Sequence, residues 1–465
     1  MLALTNPGTN SRGLLFDIIW GFEQLGHEVL KLALGPSWTL KNQCPEQAEL
    51  VAQSFERLVA DFIEANRIEF SLAMWCNGTL SLPVRRRLDG GVSAVMNEWG
   101  HPHLHYWWDA PHWFNNGATL PLLGSGVFAG QHQLHYINNP YTGAEMSEFM
   151  HFSNVIAAPN GVNPETFHPL PGIKKEYDLV FLSGGGDCEP TPVMLDELEK
   201  DDPDIERIRR DVASSLGPML AETAAAFDES MRVPARQLLD ALVEHRLADR
   251  HSPAIAHLER AIGEKPELGS VANAMVQDPA LYVRVTNVVR TIETWERPFL
   301  VAYLSRHFKA LRLGTQRYDA WGIEGDQIEF VPYHEQSRVY ARARFALNVM
   351  RWQDDCSLNS KIFEITAARC GCLQAYRRGV EACFVDGKEM LVFRTPREAR
   401  ERLADALASP EQAEAIIDAG HRRTLADHTW VNRMQLVTDA LTGTKPPPPT
   451  VPSTPPELAP SMSYA

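Results

Sequence analysis

Residues 1–4 form an apolar run closed by Thr5, and 1–5 read as a short strand buried on both faces. A stretch rich in Asn, Pro, Gly and Ser follows and predicts a loop over 6–12. Leu14, Leu15, Ile18, Ile19, Phe22 and Leu25 then recur at helical spacing, and Gly26 stops that helix. Residues 27–34 read as the next strand. The same rhythm continues with a helix over 45–67, whose Leu50, Phe55, Leu58, Val59 and Phe62 face inward, a strand over 70–75 and a short helix over 84–89. His103, His105 and Trp107 alternate as in a strand, with Asp109 just past its end. Strand 134–138, helix 141–150 and strand 154–158 complete a first domain of residues 1–170, and Pro169, Pro171 and Gly172 make a hinge.

A second α/β domain spans 175–441. It opens with strand 177–182 and the loop Ser183 to Asp187, whose glycine triplet can wrap a phosphate and nominates Gly184 and Gly185. Residues 188–285 are rich in Ala, Leu, Glu and Arg with helical periodicity, so they predict a helical insertion, its charge runs such as 197–206 forming solvated faces. Such an insertion could grip an acceptor or a neighbouring subunit, giving a homo-oligomer. Helix 290–303, strand 308–313, a turn at 319–322, strand 328–332 and helix 335–343 come next. An apolar strand over 345–350 runs through a polar loop into a helix from about Ile362, which Gly371 ends before strand 372–376. Helices over 396–407, 411–426 and 430–441 finish the domain. From Thr442 the chain is proline-rich and predicts an extended, disordered tail over 442–465.

Composition narrows the function. In 465 residues with 44% hydrophobic and 22% charged side chains, the chain has the balance of a globular protein. Its net charge of −15 argues against a nucleic-acid partner. No apolar run is long enough for a transmembrane segment, the start lacks a signal-peptide pattern, and seven scattered cysteines form no disulfide framework, so a cytoplasmic, reduced protein is expected. Alternating histidines on one strand could bind a metal, but no Cys or carboxylate cluster accompanies them, and no metal or other cofactor is expected.

The chemistry concentrates where the 345–350 strand meets its helix. In open α/β folds ligands sit beyond the strand ends, where free N–H groups at a helix start favour phosphate. Asn359, Ser360 and Lys361 stand there, Lys361 adds a positive charge, and Glu364, one turn in, can hold a pair of sugar hydroxyls. The loop carrying Tyr333 and His334 precedes this unit and would line a base or pyrophosphate pocket. On the first domain, the loop through Asn10, Ser11 and Arg12 to Gly13 would face the cleft, where Gly8 and Gly13 permit close approach of a substrate; an ordinary βα turn reads the same way.

The run LNV…LNSKIFEITAARCGC, then FVDGKEMLVF, then DHTWVNRM resembles the CgeB-like glycosyltransferases, relatives of the group 1 transferases. The matching positions are Asn359, Lys361, Phe363, Glu364, Gly371, Gly387, Glu389, His428 and Thr429. The resemblance implies a GT-B fold, two Rossmann-like domains facing a cleft. It implies metal-independent transfer of a sugar, from a UDP-sugar or similar donor, to a hydroxyl of a protein, glycan or small molecule. It sets Trp107, Asp109 and Pro111 at the acceptor side of the cleft, making Asp109 and His112 candidates for general base or sugar contact. Family members usually carry Arg where Lys361 stands, and retaining ones often carry Glu where this chain has Cys356, with Asp355 beside it. The stereochemical outcome therefore stays open. An epimerase acting on nucleotide sugars, or a non-catalytic surface-assembly protein, would use the same scaffold.

Overall fold

The computed structural model describes residues 1–5, 9–35, 45–88, 91–113, 120–183, 188–313, 318–328 and 330–443. Gly184, Gly185, Gly8 and the tail from residue 444 lie outside the described residues. Eight strands belong to the first half: β1 (Leu2–Thr5), β2 (Leu30–Ala33), β3 (Ser71–Met74), β4 (Val84–Arg86), β5 (Val92–Ala94), β6 (His103–Trp107), β7 (Gln133–Ile137) and β8 (Val155–Ala157). Six of them form a parallel sheet in the order β2-β1-β3-β6-β7-β8. The second half supplies β9 (Tyr177–Leu182), β10 (Ala310–Leu313), β11 (Gln327–Ile328), β12 (Ala343–Asn348), β13 (Gly371–Ala375) and β14 (Leu391–Phe393), a parallel sheet ordered β11-β10-β9-β12-β13-β14. Numbered within its own sheet, that is the 3-2-1-4-5-6 order of a Rossmann fold. Parallel strands with helical crossovers are covered on both faces, which is why β1 and β6 are buried along their whole length. Two such lobes side by side are the GT-B architecture.

The lobes are tied where the chain crosses back. The last helix, Trp430–Leu441, packs Trp430, Met434 and Val437 into the core that Leu14, Ile18 and Phe22 of helix Thr9–Gln24 also fill. Just before it, Val162 and Thr429 form a parallel bridge, with Val162 donating to His428 (3.0 Å) and Trp430 to Val162 (3.0 Å). Gly161 permits this approach, because a Cβ there would lie 2.8 Å from the Thr429 carbonyl carbon.

Several local expectations change. Residues 84–88 are no helix: β4 pairs antiparallel with β5, and three consecutive arginines carry no helical period. Leu50 and Leu58 of helix Ala48–Ala65 are exposed at 61% and 49%, while Phe55 and Val59 carry its core face. Asn10 to Gly13 lie inside helix Thr9–Gln24, which starts before the apolar period does. Helix Lys361–Ala367 gives way at Arg369, which takes a left-handed φ of 54°, and Gly371 instead opens β13.

Between β9 and β10 runs a series of helices from Pro192–Leu198 to Pro279–Arg290. Thr191, Asp204 and Asp278 start three of them by capping Met194, Arg207 and Ala280. The charge run at its start is only partly a solvated face: Glu197 is fully buried and accepts from Lys200 (2.7 Å) and Arg207 (2.6 Å). Met194, Leu198, Ile208 and Val212 at the start of the insertion stay in the second lobe's core, but from Leu216 on the insertion packs on the first lobe. Leu239, Leu242, Val271, Tyr282 and Val289 share one apolar core with Trp107, Phe128, Phe149 and Phe152, and Tyr282 stacks on Phe149 with ring centroids 4.1 Å apart.

Candidate functional site

β12 brings the chain to the C-terminal edge of the second sheet beside β9, where the strand order reverses. Asn359 is held to that edge by reciprocal amide bonds with Asn348, at 3.0 and 3.2 Å, and Asn348 in turn donates to Gln374 at 2.7 Å. The helix Lys361–Ala367 follows at once. Its Glu364 is buried, and both carboxylate oxygens are occupied: Oε1 accepts from Ser360 Oγ at 2.6 Å and Oε2 from Lys361 Nζ at 2.6 Å. Lys361 also donates to Gln336 Oε1 at 2.5 Å and lies 6.0 Å from the Tyr333 ring centroid. A seven-residue helix has a small dipole, so Lys361 supplies most of the positive charge here.

The first lobe closes against this cluster. Tyr333 Oη donates to Asp17 Oδ2 at 3.0 Å, and Asp17 Oδ1 also accepts from Asn163 (2.9 Å) and Thr166 (2.6 Å). Burial raises the Asp17 carboxyl to about 7, against those three hydrogen bonds, with Glu364 adding to the rise. Gly13 makes room for the same tyrosine: a Cβ there would lie 2.9 Å from Tyr333 Cδ1. The glycine expected to admit a substrate thus admits a side chain of the other lobe. Of the sequence candidates, Asn359, Ser360, Lys361, Glu364 and Tyr333 come together, whereas the His334 side chain is 76% exposed.

A second contact joins the lobes past the end of β6. Asp109 faces Arg351 of the loop after β12, Oδ1 to Nη1 3.9 Å, and burial pushes its carboxyl upward while Arg351 opposes. His112 is fully enclosed. Its Nε2 donates to the Gln353 carbonyl at 2.9 Å, its Nδ1 lies 3.6 Å from Glu145 Oε2, and burial with Arg290 nearby lowers it to about 3. Asp354 stands in the same loop; burial and then the charge of Asp109 raise it to about 7. Asp354 is not among the residues nominated above. The signal that could have found it is its place after β12, opposite Asp109. Among the described residues no group of three or more His, Cys, Asp or Glu could hold a metal ion.

Comparison with known proteins places these features. Residues 293–439, which carry the Tyr333–Glu364 cluster and the Arg351–Asp354 loop, match the family model described as glycosyl transferase-like. No curated protein matches the chain. Among solved structures, sucrose-phosphate synthase from Thermosynechococcus elongatus is 9% identical, with 86% of this chain and 80% of that one covered and a TM-score of 0.44. HepE of Anabaena in complex with UDP and glucose is 10% identical over 95% and 100% of the two chains, TM-score 0.42. The phage T4 β-glucosyltransferase is 7% identical over 95% and 99%, TM-score 0.46. Scores this low assign no activity. The third of the chain that carries the Tyr333–Glu364 cluster is similar in sequence to the glycosyl transferase-like family.

Proposed function

We propose that the protein is a glycosyltransferase of the CgeB-like group, moving a hexose from a nucleoside diphosphate sugar, a UDP-sugar by preference, to a hydroxyl acceptor. The supporting observation is the buried Ser360–Lys361–Glu364 cluster at the switch point of the second sheet. In this reading Glu364 exchanges its Ser360 and Lys361 bonds for a ribose diol, and the freed Lys361 ammonium meets the diphosphate. Charge on the departing diphosphate is then neutralised by a fixed cation, without a metal. Asp109 takes the acceptor proton, its carboxyl made a stronger base by burial than an exposed aspartate. His112, enclosed, keeps the Asp109 segment against the Gln353 loop. The acceptor belongs to the protein, glycan or small-molecule hydroxyls, and the cytoplasm is the expected compartment. No described helix is long and apolar enough to cross a membrane.

The test is donor binding. Glu364→Ala should weaken UDP-sugar affinity at least about tenfold by calorimetry, the scale of one charge-assisted hydrogen-bond pair. Unchanged affinity would remove the donor site from this helix.

A further inference from the structure

The insertion ends in a chain of buried ions that runs through the cleft loop. Arg209 donates to Glu293 (3.0 Å), and Arg246 lies 3.4 Å from the same carboxylate. Arg246 also donates to Asp355 Oδ1 at 2.9 Å, while Asp355 Oδ2 accepts from Arg290 Nε at 2.9 Å and from the Ala254 amide at 3.0 Å. Arg290 then reaches the first lobe, donating to Glu145 Oε1 at 2.5 Å, which Tyr282 also meets at 2.8 Å. Glu145 is the residue His112 faces. Arg246, Arg290 and Glu145 are each at most 2% exposed. Asp355 is thus the point where the insertion seizes the loop that carries Arg351, Gln353 and Asp354 to the first lobe. Burial alone would raise the Asp355 carboxyl, but Arg246 and Arg290 hold it well below the usual range, so it stays charged.

We infer that Arg246 and Arg290 are positioning residues: through Asp355 they fix the loop so that Arg351 faces Asp109 across the cleft. Elsewhere the loop is held at Val349, whose carbonyl accepts from Arg297 (2.8 Å), and at Gln353, whose carbonyl accepts from His112 (2.9 Å), so Asp355 is its charged tie to the insertion. After Asn348 it leaves the sheet and meets no regular element until Lys361. Asp355 is buried with both carboxylate oxygens bonded, which sets its direction, whereas an apolar contact would let the loop slide. The insertion thereby orients a site to which it contributes no reacting group. This assignment rests on the transferase reading for its catalytic consequence, but not for the loop's position.

Two measurements on the full chain separate these parts. Hydrogen exchange of the 351–356 amides reads the loop directly. Asp355→Asn and Arg290→Lys should speed that exchange at least about tenfold, the effect of freeing a locally held segment. Leu239→Ala, a core truncation in the same insertion that makes no bond to the loop, should lower the melting temperature yet leave loop exchange within about twofold. Turnover of a UDP-sugar should fall about tenfold in kcat for Asp355→Asn and Arg290→Lys, with donor KM within about twofold. If Asp355→Asn does not fold, Arg290→Lys, which keeps the charge, carries the test. Unchanged loop exchange in the folded variants, or equal acceleration in Leu239→Ala, overturns the assignment. A wild-type protein that turns over no nucleotide sugar overturns the transferase reading instead, and the exchange result stands apart from it.

Discussion

Tyr333 in the second lobe donates its hydroxyl to Asp17 in the first, 3.0 Å away, directly above the helix that carries Glu364. This bond makes lobe closure depend on a carboxyl that titrates near neutral pH. The folded Asp17 carboxyl is raised to about 7 from an ordinary 3.8, chiefly by burial. Between those values the folded state keeps a proton that the unfolded chain has released. Its contribution to stability is therefore complete below pH 3.8 and is lost as pH rises through about 7. Asp17→Asn should abolish this component. Urea midpoints at pH 6 and pH 8 should differ more for the wild type than for the variant, by an amount set by about 1.4 kcal/mol per proton per pH unit at most. Equal differences would show that Asp17 is ionised throughout.

Asp109→Asn should separate chemistry from donor capture. The carboxyl sits on the first lobe, across the cleft from Lys361 and Glu364. Turnover should fall at least about tenfold while donor affinity changes less than about twofold. Full activity in the asparagine variant would leave Asp109 as a partner of Arg351 alone.

Acid should unfold the protein early. His103 and His135 are buried in the first sheet and held well below 6.5 by burial and by neighbouring histidines, His103 bonded to Ser71 and His135 to Trp107. His101 and His428 are lowered to about 4, again mainly by burial. The unfolded chain takes up these protons from pH 6.5 downward and the folded protein does not, so stability is full above 6.5 and declines below it. The raised carboxyls of Asp17, Asp109, Glu145, Glu148, Glu259 and Asp354 slope the other way, but the lowered histidines outnumber them. Denaturation midpoints should drop steadily between pH 6.5 and 4.5, and a flat profile would contradict the neutral, buried state of these rings.

Gly161→Ala should loosen the tie between lobes. The added methyl would meet the Thr429 backbone at 2.8 Å, where no flexible side chain can yield. Overpacking of this kind costs about 1–3 kcal/mol, which for a chain this size lowers Tm by about 1–2 °C per kcal/mol. An unchanged Tm would mean that the Val162–Thr429 bridge shifts freely.

Much of the second sheet was legible because apolar runs and helical periods fall within a few residues of β9, β12, β13 and the last three helices. Asp109 past the end of β6 was legible for the same reason: a strand's side-chain alternation locates its end. The antiparallel pair β4 and β5 was misread because arginine side chains carry no burial signal, and Leu50 and Leu58 because an apolar residue off the buried stripe of an amphipathic helix need not face a core. The ion chain through Asp355 was invisible for a deeper reason. Its partners, Glu145, Arg246, Arg290 and Asp355, are up to 145 residues apart for a single bond, and each looks like an ordinary surface charge until the fold collects them.

The insertion's allegiance also bears on how the molecule is made. Trp107, Phe128, Phe149 and Phe152 are translated long before Leu239, Val271 and Tyr282, which cover them. As the polypeptide leaves the ribosome, a fragment of residues 1–170 would carry an uncovered aromatic face, the kind of transient surface that chaperones bind and that aggregates when left alone. Expressed by itself, that fragment is expected to be insoluble, and the smallest piece that keeps the face sheltered must continue at least through Arg290.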